Sequence, residues 1–299
     1  MSPVTPQHTT TPDGEPLRFT VTAPPPAAAT AATPILTAYG LVSSWHHWRF
    51  FTPHFAATRP VVTWDYRGHG GQPAPRAPAA LDVARFADDA HAVWRASGQP
   101  PAIVTGLSFG VQVALEIWRR HPEMVRALVL LCGTAGHPLD RISTAPAFRR
   151  SLVRAMRWLG GQPRVADGLL AALRAPGGAR LARELAFLTG GAHRATCPAD
   201  VLDGLFAHVA ALPPALLGHV VAAYLDHDAF DVLPTIAVPT LLVAGDRDQL
   251  TPVATAERMQ RAIAGSELVV FAGHSHLVQV ERPREVHATI ERFLAHHRL

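Results

Sequence analysis

An α/β protein is predicted, with a mainly parallel sheet covered by helices on both faces and one all-helical insertion. Three observations lead there. Short apolar runs of buried-strand type recur along the chain. They alternate with longer segments of helical period. That alternation stops between about Pro138 and Asp231, where amphipathic patterns follow one another with no convincing strand. The 299 residues suit one large domain or a domain with an insertion. With 48% hydrophobic and 17% charged residues, a sizeable core can form.

In order, Thr11-Pro12-Asp13-Gly14 is a turn signal and Leu17 to Val21 reads as a strand. A Pro/Ala-rich loop fills Ala23 to Thr33. Pro34 to Ala38 and Pro60 to Trp64 are buried-strand runs. Between them Trp45 to Ala57 has helical character, which Pro53 bends or splits. Asp82 caps a helix from Val83 to Ser97 that Gly98 stops. Ala102 to Thr105 is a strand, Phe109 to Arg120 a helix, and Ala127 to Leu131 a strand. After the insertion come a strand at Thr240 to Ala244, a helix at Pro252 to Ala264, a strand at Leu268 to Phe271 and a helix at Arg282 to His296. Within the insertion, Phe148, Leu152, Met156 and Leu159 share one helix face, opposite Arg150, Arg154 and Arg157. Further apolar sets are Leu181, Leu185 and Leu188, and Leu217, Val221, Tyr224 and Leu225.

Composition excludes several classes. Two distant cysteines, Cys132 and Cys197, make neither a disulfide scaffold nor a cysteine-rich zinc site, and fit a reducing compartment. A net charge of +4 is too small an excess for a nucleic-acid binder. The chain has no lysine and no asparagine, so P-loop, kinase-type and lysine Schiff-base chemistry are out. Met1 to Pro16 lacks the basic and apolar regions of a secretory leader, and no apolar run reaches the ~18 residues of a membrane span. A cytoplasmic location is the expectation. Trp45-His46-His47-Trp48 is a poor metal pair, because adjacent histidines on a helix diverge. Trp45, Phe50 and Phe51 are candidates for either a pocket or the core.

Gly106-Leu107-Ser108-Phe109-Gly110 is a G-x-S-x-G turn entered by a strand and left by a helix. Such a turn projects the Ser108 hydroxyl at the C-terminal sheet edge, with the Phe109 amide at a helix N-terminus beside it. A serine needs an imidazole to take its proton and an acid to orient that imidazole. Asp246-Arg247-Asp248 and His274-Ser275-His276 each follow a predicted buried strand, in the order Ser, acid, His.

These residues, with Asp65-Tyr66-Arg67-Gly68-His69-Gly70, Val238-Pro239-Thr240 through Pro252, and His276 to Pro283, resemble the capped, single-domain branch of the α/β-hydrolase superfamily. The resemblance runs from about residue 11 to the C-terminus, outside the insertion. It implies a core domain of 1–137 and 232–299 with a helical cap at 138–231. It points to Ser108 as nucleophile, Asp248 rather than Asp246 as acid, and His276 rather than His274 as base, with Leu41 and Phe109 amides as the oxyanion hole. It implies no cofactor and no metal. Two departures stand out: Tyr39-Gly40 where the family usually has His-Gly, and Val111 where many relatives have a small residue. Asp65 to Gly70 is a structural turn in this reading. The expected reaction is hydrolysis of carboxylic esters, lactones or thioesters with an apolar acyl part. The alternatives are carbon–carbon bond hydrolysis, acyl transfer to another acceptor, or a ligand receptor that has lost turnover.

Overall fold

The computed structural model describes residues 5–24, 32–43, 45–138 and 145–299. Most of the Pro/Ala-rich loop, the first four residues and the start of the insertion at 139–144 lie outside them. Among the described residues one eight-stranded sheet runs in the order β1-β2-β4-β3-β5-β6-β7-β8. Its strands are β1 (Gln7–Thr10), β2 (Pro16–Thr22), β3 (Ile35–Ala38), β4 (Val61–Trp64), β5 (Ala102–Leu107), β6 (Val125–Leu131), β7 (Thr240–Gly245) and β8 (Glu267–Phe271). β1 and β2 are antiparallel to their neighbours, and β3 to β8 are parallel. Strands β5 and β7 are buried at every position, which is why their sequences are continuous apolar runs rather than alternating ones.

The helices are α1 (Phe51–Phe55), α2 (Val83–Ser97), α3 (Phe109–Arg120), α4 (Pro146–Gly160), α5 (Pro163–Arg174), α6 (Gly178–Leu188), α7 (Ala199–Ala210), α8 (Pro214–Asp226), α9 (Val253–Ala262), α10 (Val278–Glu281) and α11 (Pro283–His296). The α2 ends follow the sequence reading. Asp82 accepts a hydrogen bond from the Arg85 amide at 2.9 Å, and Gly98 takes the left-handed conformation at φ 65°. The predicted helix over Trp45 to Ala57 is in two pieces, a 3₁₀ turn at Trp45–Trp48 and the short α1, as Pro53 requires. Helices α4 to α8 all lie between β6 and β7. Among the described residues no single helix is long and apolar enough to cross a membrane. The pair α7 and α8 reaches the length together but bends by 111°.

Two expectations need correction. Strand β1 was not expected, because Gln7-His8-Thr9-Thr10 carries no apolar residue and sits at an exposed sheet edge. Leu181, Leu185 and Leu188 were expected on a buried face, but they are exposed, Leu188 by 74%. Helix α6 lies against α7 and turns other residues, Ala182, Ala186 and Phe187, to the half-buried side.

The candidate active site

Ser108 stands between β5 and α3 with φ 54°, a left-handed conformation that a serine adopts only when its surroundings enforce it. The two flanking glycines are the enforcement. A Cβ on Gly106 would lie 2.2 Å from the Gly110 carbonyl oxygen, and one on Gly110 would lie 2.1 Å from that of Ala38. The backbone thus turns in a space that admits no side chain. The Ser108 amide donates to the Leu131 carbonyl at 2.9 Å, tying the turn to β6.

The predicted acid and base, Asp248 and His276, follow β7 and β8, beyond β6 in the sheet. Gly245, closing β7, has the carbonyls of His274 and Ser275 so near that a Cβ would sit within 2.5 Å of them. That close approach brings the loop after β8 against the loop after β7. His276 Nδ1 is 2.8 Å from Asp248 Oδ2, and both side chains are buried. Asp248 also accepts from the amides of Leu250 (2.8 Å) and Thr251 (2.9 Å) and from the Thr251 hydroxyl (2.7 Å). Burial alone would raise the Asp248 pKa. The charge and hydrogen bond of His276 and the donors of Thr251 outweigh it, and hold the carboxyl below its usual value.

The neighbours in each cluster do something else. Asp246 accepts from the Gly273 amide at 2.6 Å and shapes the β8 turn. His274 has both ring nitrogens engaged: Arg282 donates to Nε2 at 2.9 Å, and Nδ1 lies 3.2 Å from Glu281. A histidine that accepts at Nε2 and donates at Nδ1 has no nitrogen left for Ser108. Glu281 further accepts from the amides of Ser275 (3.0 Å) and His193 (2.7 Å), so it is a buried clamp across the loop.

Ser108, His276, Gly40 and Leu41 line one cavity of about 420 Å³. The helical stretch between β6 and β7 supplies much of the rest, including Leu202, Leu205, Phe206, Tyr224 and Leu225. Among the described residues Ser108 makes no hydrogen bond to His276, and Tyr224 lines the same cavity. Catalytic hydrogen bonds of this kind are often loose without substrate.

Tyr39, in the place of the expected histidine, is buried, and its carbonyl accepts from the Tyr66 hydroxyl at 2.8 Å. Tyr66 therefore pins the loop that carries Gly40 and Leu41. His47 also lines the cavity, with Nδ1 2.7 Å from the Ser43 hydroxyl. None of Trp45, Phe50 and Phe51 does; Phe51 is core and Trp45 is exposed. Val111 is fully buried within α3. Arg67 is held between Asp13 and Asp89, so the Asp65 to Gly70 segment is a structural turn.

Sequence reasoning missed Thr251 and Tyr224, and gave Glu281 only as a position in the His276 to Pro283 pattern. Thr251 and Glu281 act through contacts that depend on tertiary approach. Tyr224 gave a signal only as one member of an apolar helix face.

A family model described as alpha/beta hydrolase fold matches residues 33–283. The chain is 29% identical over 250 residues to a pimeloyl-[acyl-carrier protein] methyl ester esterase of Aromatoleum aromaticum, covering 82% of this chain and 91% of that one. It is 27% identical over 275 residues to a 2-hydroxymuconate semialdehyde hydrolase of a Pseudomonas species, covering 89% and 88%. The crystal structure of a hydrolase from Pseudomonas aeruginosa superposes with a TM-score of 0.73 at 25% identity, over 97% of this chain and 98% of the other. A parallel sheet with a serine-bearing turn at its C-terminal edge is thus matched along most of its sequence, and the chain belongs to the alpha/beta hydrolase fold family as an enzyme of the hydrolase type.

Proposed function

We propose that the protein is a serine hydrolase that cleaves carboxylic esters, lactones or thioesters through an acyl-enzyme. One observation carries the reading: Ser108, on a strained turn, shares an apolar cavity with His276, whose far nitrogen is held by the buried Asp248. Ser108 Oγ attacks the carbonyl carbon while His276 Nε2 takes its proton. Asp248 keeps the imidazole in the right tautomer and stabilises its charged form. The Leu41 and Phe109 amides receive the oxyanion, and water then releases the acyl group. The leucine-rich lining supports an apolar acyl part, and the helices between β6 and β7 act as a cap over it. Two free, buried cysteines support a reducing, cytoplasmic setting. The likeness to a 2-hydroxymuconate semialdehyde hydrolase favours carbon–carbon bond hydrolysis as the second reading.

Ser108→Ala tests the reading. It should abolish fluorophosphonate labelling and p-nitrophenyl ester turnover, the latter by on the order of 10⁶ in kcat, while the protein stays folded. Labelling at another serine would overturn it.

A further inference from the structure

Helix α2 packs against α3, and Asp88 and His91, three residues apart on α2, meet the C-terminal end of α3. His121 caps that end, and Glu123 follows in the 3₁₀ turn Pro122–Met124 that leads into β6. The His121 Nε2–H donates to Asp88 Oδ1 at 2.9 Å, so a neutral His121 has a bare lone pair at Nδ1. That Nδ1 stands 3.8 Å from Glu123 Oε1, and His91 Nε2 stands 3.6 Å from the same oxygen. Both gaps are too long for hydrogen bonds. One ligand atom from each of His91, His121 and Glu123 lies within 4.8 Å of the other two. Two acceptors therefore face each other with no proton between them, and His91 in its Nδ1–H tautomer adds a third. A cation relieves such an arrangement.

We propose that His91, His121 and Glu123 form a binding site for a divalent ion of the zinc class, with water as the fourth ligand. Tetrahedral ligands about 2.0–2.1 Å from zinc stand roughly 3.4 Å apart, so the two gaps to Glu123 are each within a few tenths of an ångström of the required edge. The imidazole rings stack face to face, with centroids 4.1 Å apart and planes 2° from parallel. Binding turns their edges toward Glu123, whose side chain is 58% exposed and able to follow. Asp88 holds the second nitrogen of His121, as carboxylates commonly do behind a ligating histidine. It is itself anchored by two bonds from Arg120, at 2.9 and 2.8 Å. Two imidazoles with one carboxylate suit zinc-like ions and not calcium or magnesium, which take oxygen ligands. The carbonyl end of α3 adds negative partial charge beside the ion. Ser108 lies at the opposite end of α3, about 18 Å away for twelve helical residues, so the site is separate from the proposed reaction. The ion clips α2 to the end of α3 and to the turn entering β6. It acts on stability and not on catalysis.

The test titrates zinc chloride by calorimetry into EDTA-treated, desalted wild type, His91→Ala and Glu123→Gln. The chain has 17 histidines, so zinc bound elsewhere forms a background common to all three proteins, and the difference between them decides. Wild type should show one site of micromolar affinity or tighter, and each variant should lose at least about tenfold at that site. Zinc at about 100 times Kd should raise the urea midpoint of wild type and leave those of the variants in place. Glu123→Gln keeps the shape of an exposed side chain, and its metal-free urea midpoint reports that it is folded. Absence of such a site in wild type overturns the proposal. Equal zinc affinity in wild type and both variants overturns it too, because the ion is then held by other histidines. A wild-type midpoint that zinc does not move rules out the clip.

Discussion

His274 and His276 are two residues apart and both buried, yet their partners differ in kind. One meets a carboxylate and a guanidinium that leave it no free nitrogen; the other meets Asp248, with the Thr251 hydroxyl beside it, on one side and the cavity on the other. His276→Ala should therefore cost on the order of 10⁴–10⁶ in turnover, and should add little to the loss in Ser108→Ala. His274→Ala should cost under about tenfold, by loosening the Glu281 clamp. Kinetics of the single and double variants decide it, and a dead His274→Ala beside a working His276→Ala would reverse the assignment. The carboxylates divide in the same way. Asp248→Asn presents an amide where the imidazole needs an acceptor, and should cost about 10⁴ in turnover. Asp246→Asn alters only a turn and should cost far less, so comparable losses in the two purified variants would contradict the geometry. The choice of His276 over His274 came from the resemblance of His276 to Pro283 to the family's pattern. Thr251 was not, because a hydroxyl three residues after the acid has no pattern until the turn folds it back at 2.7 Å.

At the scale of elements, the strand–turn–helix from β5 to α3 depends on an absence of side chains. Helix propensity favours alanine over glycine by about 1 kcal/mol. Gly110→Ala should nonetheless destabilise, by roughly 3 kcal/mol, because the new Cβ would lie 2.1 Å from the Ala38 carbonyl oxygen of β3, a strand bonded to β5 and unable to retreat. Urea unfolding of the variant checks this, and an unchanged or raised midpoint would contradict it. The ends of α2 were readable because Asp82 and Gly98 are local signals. Strand β1 was not, because it is paired by the antiparallel register of Gln7 with Phe19, and nothing within Gln7–Thr10 announces that partner. Helix α6 misled for a related reason. Its leucine stripe has the period of a buried face, but α7 packs on the neighbouring stripe.

For the molecule as a whole, buried neutral histidines contribute to the loss of stability in acid. Burial depresses the pKa of His47 to about 3 and of His69 to about 4, with neighbouring histidines adding to the effect; His287 is shifted the same way. The folded pKa lies below the unfolded value of about 6.5, so the unfolded chain binds more protons in between. Their stabilisation is complete above pH ~6.5 and is lost as the pH falls through the folded values of about 4 for His69 and about 3 for His47. For His47 and His69 together the loss by about pH 5 is on the order of 2–4 kcal/mol. Urea midpoints at pH 7.5 and 5 test this; equal midpoints would refute it. The order of strands has a consequence for biosynthesis. β7 and β8 extend the sheet beyond β6, and the Leu128 and Cys132 amides bond to carbonyls of Pro239 and Val243. Those partners leave the ribosome only after roughly a hundred intervening residues, several seconds or more of translation. Until then the nascent chain carries an unpaired strand edge whose residues from Ala127 to Leu131 are all apolar, a ready template for aggregation. Asp248 and His276 arrive with the strands that close it, so one late segment brings in both the proposed acid and base and the partners that end the exposure.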